Sequence, residues 1–343
     1  ETAPPGELAE GQVLFRVDQF ALTSNNITYA AAGDMLNYWG FFPAEEGWGR
    51  IPAMGFGDVV ASAHPDVAEG QRVFGFFPMS THLVVQAEEM GSGGFIDGVE
   101  HRKNHAPFYR QYSTVAADPE YDPTREGQVM LLRGLFMTSY LVDSFLADND
   151  GFGAGNYLIG SASSKTGIAL AYLLSQRPGT RVIGVTSPRN RDFVESLGLY
   201  DAIIGYDGVE SLDTTPTTFI DHAGDGSFVN ALHRHLQDEL KYHCIIGATH
   251  WDSGPSDSDL PGPQPALFFA PGEAQKRIQE WGPAEFQKRL AGGWQQFSAS
   301  SDSWLKIERA SGLEEVERVY RRVLSGEARP SEGHLLSLWD DAG

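Results

Sequence analysis

Eight consecutive residues, Gly160-Ser-Ala-Ser-Ser-Lys-Thr-Gly167, bring together a run of hydroxyls, one ammonium group and two flanking glycines. The hydroxyls of Ser163, Ser164 and Thr166 and the ammonium of Lys165 are phosphate donors, and Gly160 and Gly167 let a backbone approach a ligand closely. Further along, Ser187-Pro-Arg-Asn-Arg191 supplies another hydroxyl and two guanidinium groups, with no carboxylate among them. Ser187, Arg189 and Arg191 are therefore suited to a second phosphate, which guanidinium binds in a bidentate fork. The plainer readings stay open: an unliganded strand–helix turn, a solvated Lys165, and arginines that merely begin a surface helix.

What must position these groups can be read from the flanking residues. Tyr157 to Ile159 form a short apolar run before the turn, and Ile168, Ala169, Leu170, Leu173 and Leu174 recur at helical spacing after it. A buried strand that turns tightly into a helix presents free N–H groups and the positive end of the helix dipole, which suits a pyrophosphate. A second strand–turn–helix unit follows over Arg181–Gly198, then strand-like stretches at 202–206, 217–224 and 242–249, with a helix over 227–239. Strands alternating with helices imply a parallel sheet covered on both faces. NAD-specific sheets of this kind place an acid about 20 residues beyond the first glycine, to hold the ribose 2′-hydroxyl. Its absence at Ser187 favours NADPH/NADP+ over NADH. His222 and Thr249 fall at strand carboxyl ends, where ligands of open α/β sheets sit.

The rest of the chain reads differently. Residues 1–90 carry short strand-like runs with glycine and proline turns, the pattern of a small barrel. Residues 91–128 are expected to be mostly loop, residues 125–147 helical, and 253–265 a linker; a helical stretch (272–297), a short strand (303–307) and an amphipathic helix (313–324) follow. The chain has 343 residues, enough for two cores. Its formal net charge of -21 disfavours nucleic acid and anionic lipid as partners. No run of 18 apolar residues occurs, so a membrane span is not expected. No signal-peptide pattern opens this sequence, and the cytoplasm is the expected compartment. A single cysteine, Cys244, sits in an apolar run and reads as a buried thiol.

The order of these pieces resembles the medium-chain dehydrogenase/reductase superfamily, in its zinc-free quinone- and enoyl-reductase branch. Val13–Tyr29 resembles the family strand that leads into the substrate-side loop. Val67-Ala-Glu-Gly-Gln-Arg-Val-Phe-Gly75 resembles its barrel turn, with Gln71 in place of the usual Asp. Asp221-His-Ala-Gly224 and Ile245–Thr249 resemble the strand ends that border the nicotinamide. In the phosphate turn, Ser164 and Lys165 stand where glycines are common. The 91–127 insertion and the Phe268–Pro283 stretch resemble the branch DUF2855.

The resemblance implies an α/β chain: a GroES-like β-barrel catalytic domain (1–127 and 265–343) and a Rossmann doubly wound parallel-sheet domain (128–264) that binds NADPH. It adds Thr138, Ala223, Gly224 and Gly247 to the cofactor residues. Tyr29 matches the position of a proton donor, with Asn25 and Asn26 as hydrogen-bonding neighbours; Tyr109 and Tyr112 of the insertion are further tyrosines that could serve. No zinc ligands occur at the family's positions, so no metal is expected. The implied activity is metal-independent hydride transfer to or from a carbonyl or activated C=C of a small apolar or aromatic molecule. The implied assembly is a homodimer. An NADPH sensor or a non-redox member of the fold is the alternative.

Overall fold

The computed structural model describes residues 6–31, 33–35, 37–91, 93–118, 121–247 and 259–340. It divides into two compact units, residues 1–131 with 306–343 and residues 132–305.

The first unit is built on a closed barrel. β1 (Gln12–Leu22), β2 (Pro52–Ser62), β3 (Arg72–Pro78), β4 (His82–Gly91), β5 (Gly94–Asp97) and β6 (Gln111–Thr114) run in the order β1-β2-β3-β6-β5-β4 and return to β1. Closure removes the unpaired edges that an open sheet would expose. Two register shifts in β1 against β2, at Leu14/Phe15 and Val17/Gln19, supply the local twist that closure needs. The interior is filled by Phe15, Phe77, Phe95 and Tyr112, with Phe15 stacked on Phe95 and Tyr112.

The insertion is not mainly loop, as expected from its glycines and prolines: β5 and β6 within it complete the barrel wall. Their strand signal is short, four residues each, so alternation has no length over which to show.

Arg72 draws this unit's segments together, pairing with Asp18, Asp58 and Glu126 at 2.8, 3.0 and 2.6 Å. Tyr121 donates a further hydrogen bond to Glu126 at 2.6 Å.

In the second unit, β7 (Asn156–Ile159), β8 (Arg181–Val185), β9 (Ala202–Ile204), β10 (Thr217–Asp221), β11 (Leu240–Ile245) and β12 (Ala266–Leu267) form one parallel sheet in the order β12-β11-β10-β7-β8-β9. The helices Gly134–Asp148, Lys165–Leu174, Arg191–Ser196 and Gly226–Leu236 accompany it. The order reverses between β7 and β10, which places the switch point of the sheet at the carboxyl ends of those two strands.

Back in the first unit, β13 (Lys306–Ser311) runs parallel to β14 (Glu332–Ser337), which pairs antiparallel with β1. The helix Leu313–Leu324, expected at those bounds, buries Val316, Val319 and Val323 in the barrel core.

Residues 265–305 lie in the second unit, although the resemblance put them with the barrel. The helices Ala270–Trp281 and Pro283–Ser300 attach to the helix Gly134–Asp148. Arg277 pairs with Asp148, and Phe297 stacks on Phe136 at 5.2 Å.

The continuous helical segment Pro123–Asp148 is long and apolar enough to cross a membrane by length and composition alone. Its apolar side chains have another account: Leu131, Phe136, Leu141, Val142 and Leu146 are buried in protein.

Candidate functional site

The turn after β7 is held open by its backbone. Gly160 donates its N–H to the Ile220 carbonyl at 2.9 Å, and a Cβ there would stand 3.2 Å from Asp221 Oδ1. Ser161 adopts the left-handed region (φ 53°), with its N–H on the Tyr206 hydroxyl at 3.2 Å. Ala162 N–H reaches the Val185 carbonyl of β8 at 2.9 Å. Ser164 is the N-cap of the helix Lys165–Leu174, its Oγ accepting the Gly167 N–H at 3.0 Å. Since the oxygen accepts, its own hydroxyl proton is left to donate. Gly167 has no room for a side chain: a Cβ would lie 2.9 Å from the Ser161 carbonyl oxygen and 3.0 Å from Ser164 Oγ. It therefore does the close-packing work of the last glycine in a dinucleotide turn. Lys165 and Thr166 are half-buried in the first turn of the helix. Thr166 is fixed from behind, its carbonyl accepting from Ser139 Oγ at 2.9 Å.

Around this turn the other expected cofactor residues divide. Asn190, which sequence reasoning passed over, donates from Nδ2 to Ser163 Oγ at 3.1 Å and so ties the loop after β8 to the turn. Its only signal was its place between Arg189 and Arg191. Ser187 is half-buried and Arg189 exposed at the start of that loop. Arg191 points its guanidinium to the Ile203 carbonyl at 2.8 Å, which fastens the loop to β9. Thr138 bonds back to the Gly134 carbonyl of its own helix at 3.2 Å.

At the end of β10, Asp221 Oδ1 accepts the N–H groups of Ala223 and Gly224 at 2.8 and 2.9 Å. Its backbone carbonyl accepts from Ile246 at 2.8 Å, with Gly247 at 3.4 Å. His222 is 3% exposed, and its ring faces a backbone group of Gly160. Burial pushes its pKa down to about 4, against the pull of the adjacent Asp221 carboxylate. Thr186 Oγ1, at the end of β8, is buried without a partner among the described residues. Thr249 lies outside the described residues.

In the first unit, the helix Ser24–Ala31 carries Asn25, Asn26 and Tyr29. Asn26 is a buried cap: its Oδ1 accepts the Thr23 N–H at 2.7 Å and its Nδ2 donates to the Pro52 carbonyl at 2.8 Å. Asn25, by contrast, hydrogen-bonds the Tyr29 hydroxyl. Tyr29 stacks on Tyr38 with ring centroids 4.3 Å apart and meets the edge of Phe76. Its hydroxyl and that of Tyr38 both hydrogen-bond Tyr109. Tyr109, on the short turn Pro107–Tyr109 of the insertion, packs on Phe76 and Phe41. All three phenols have raised pKa values, burial being the largest cause, so they stay protonated at neutral pH. Such phenols can donate to an oxyanion but are poor bases.

Tyr112 belongs elsewhere. It is 1% exposed in the barrel interior and donates its hydroxyl to the Phe76 carbonyl at 2.8 Å. The insertion's contribution to the phenol cluster is Tyr109; β6 pairing turns Tyr112 inward.

Among the described residues one His/Glu group has metal-like spacing, Glu308, Glu332 and His334. Arg322 already lies on both carboxylates, at 3.4 Å from Glu308 and 2.8 Å from Glu332.

A six-stranded GroES-like barrel and a Rossmann-type parallel sheet in one chain make up the fold of medium-chain dehydrogenase/reductase proteins. A family model described as "Protein of unknown function (DUF2855)" matches residues 20–329, and the chain belongs to that family. Among solved structures, CurA from Vibrio vulnificus in complex with NADPH is similar with a TM-score of 0.61 at 14% identity, covering 98% of this chain and 92% of that one. The yhdH oxidoreductase from Salmonella enterica in complex with NADP gives 0.53 at 15%, covering 98% and 94%. Mycobacterial Rv1454c complexed with NADPH gives 0.57 at 16%, covering 98% and 94%. A comparison with curated proteins found no match.

Proposed function

We propose that the chain is an NADPH-dependent, metal-independent oxidoreductase acting on a carbonyl or activated C=C of a small apolar or aromatic molecule. The observation that carries this reading is the Gly160–Gly167 turn. It lies at the switch point of a parallel sheet, heads a helix, and includes one glycine whose Cβ would collide with the turn's own backbone. Backbone N–H groups there, with the Ser163, Ser164 and Thr166 hydroxyls and Lys165, would hold the pyrophosphate; Ser187 and Arg189 would meet the 2′-phosphate. Bound NADPH supplies a hydride. The chain's own part is to orient that cofactor through Ala223, Gly224 and Gly247 and to present the Tyr29 phenol. Tyr29, aligned by Asn25 and Tyr109, donates a proton or hydrogen bond to the developing oxyanion.

Fluorescence titration with NADPH and NADH, followed by turnover against quinones, enones, aldehydes and secondary alcohols, tests this reading. Tighter NADPH binding with turnover supports it, and NADH binding as tightly as NADPH overturns the cofactor choice. Binding without turnover would instead support a sensor. Exposed Leu267 and Phe269, 76% and 69% accessible beside edge strand β12, support a homodimer through that edge, and we read the cytoplasm as its compartment.

A further inference from the structure

A buried chain of polar groups lies behind the β10 turn, where the proposed reaction has no use for it. His233, in the helix Gly226–Leu236, places Nδ1 2.8 Å from the Pro261 carbonyl oxygen. A carbonyl only accepts, so His233 carries its proton at Nδ1 and its Nε2 is the acceptor. His243 Nδ1 stands 2.9 Å from that Nε2 and must be the donor. The second nitrogen of His243, Nε2, then faces Asp221 Oδ2 at 3.6 Å. His233, His243 and Asp221 are 0, 1 and 3% exposed, and among the described residues His243 Nε2 has no other hydrogen-bond partner. A bare Nε2 lone pair against a buried carboxylate would repel; one proton between them makes the contact attractive.

We propose that a proton shared between His243 Nε2 and Asp221 Oδ2 completes a Pro261–His233–His243–Asp221 chain that positions the turn Asp221–Gly224. Asp221 is the hinge of the arrangement. Its Oδ1 holds the Ala223 and Gly224 amides, and its backbone carbonyl accepts the Ile246 amide at 2.8 Å. Holding Asp221 therefore holds two segments of the proposed NADPH site; this consequence rests on that assignment, whereas the proton itself does not. Asp221, His233 and His243 are positioning residues, since none is placed on a reacting atom.

The other groups that face the chain hold their charge near neutrality. His222 is pushed down to about 4 and Cys244 up to about 12, and Tyr206, with Asp225 nearby, is raised by burial. Phe219, packed on the His243 ring at 4.7 Å, does not titrate.

The test uses the full chain and three forms: wild type, His243→Gln and His243→Ala. The glutamine amide reaches Asp221 with a donor that does not titrate. Without cofactor, the Ala223 and Gly224 amide signals should stay near their wild-type positions in the Gln variant and move away from them in the Ala variant. The Gln variant should bind NADPH within twofold of the wild type. The Ala variant should bind NADPH about tenfold more weakly. Gln-variant amides that move away from the wild type, or Ala-variant amides that stay with it, would overturn the proposal. So would an Ala variant that binds NADPH within twofold of wild type. If the Ala variant does not fold, the comparison with the Gln variant still decides. A wild type that binds no NADPH sinks the cofactor assignment, and the amide comparison among the three forms then judges the chain alone.

Discussion

Tyr29 and Tyr112 show how two tyrosines of equal chemistry acquire different work. Tyr29, toward the end of the short helix Ser24–Ala31, shares its hydroxyl with Asn25 and Tyr109. Tyr112 spends its hydroxyl on a barrel carbonyl. Tyr29→Phe should lower kcat by about 100-fold, the usual worth of a positioned acid, while NADPH affinity stays within twofold. Tyr112→Phe should leave kcat alone and cost about 1 kcal/mol of stability, read by denaturant unfolding. The reverse pattern in steady-state kinetics would exchange their roles.

His222 carries a pH signature of its own. Folding lowers its pKa from the ordinary 6.5 to about 4, so between those values the unfolded chain holds a proton that the native state lacks. Its contribution is complete above about pH 6.5 and is lost as pH falls toward 4, by at most about 1.4 kcal/mol per pH unit. The Tm of the wild type should therefore drop more steeply over that window than the Tm of His222→Gln. Equal slopes would remove His222 from the account.

At the scale of elements, the N-terminus of the helix Lys165–Leu174 does two jobs that can be separated. Ser164 caps the helix through its oxygen, and its proton is the proposed phosphate donor. Ser164→Ala should cost about 1 kcal/mol of stability and Ser164→Gly only a few tenths, because glycine tolerates the cap position. Both lose the hydroxyl, so NADPH affinity should fall about equally in the two. An affinity loss that tracks stability would mean that capping alone matters. Gly167→Ala tests the turn's shape: its methyl group would press on the Ser161 carbonyl and Ser164 Oγ. It should cost about 1–3 kcal/mol by overpacking, despite alanine's better helix propensity, and weaken NADPH binding.

For the whole molecule, the open question is assembly. β12 is two residues long and has no strand beyond it among the described residues, while Leu267 and Phe269 stand exposed beside it. A charge at such an edge blocks pairing with another copy. Leu267→Glu should convert a dimer to a monomer in light scattering without loss of NADPH binding; a wild type already monomeric at micromolar concentration would discard the edge-to-edge reading.

Much of this architecture was legible before any coordinates. The parallel sheet announced itself because buried strands are continuous apolar runs and each is followed by a helix whose period differs from theirs. The turn into the helix Lys165–Leu174 was legible for the same local reason: a run of small residues separates two apolar stretches of different period. Local physics does not reach further. β5 and β6 were hidden because four-residue strands acquire their identity from partners distant in the chain. Residues 265–305 were misplaced because their attachment depends on Arg277 meeting Asp148 and on Phe297 meeting Phe136, contacts that no periodicity encodes. The choice of Tyr109 over Tyr112 turned on which face of a barrel strand each residue meets. Nothing local links His233 to His243; only tertiary packing brings their ring nitrogens to 2.9 Å and aims the second ring at Asp221. Propensity, capping and apolar period act over a few residues and so were determined by the sequence itself. Pairing, burial and proton sharing act between segments far apart in the chain, and these the tertiary structure decided.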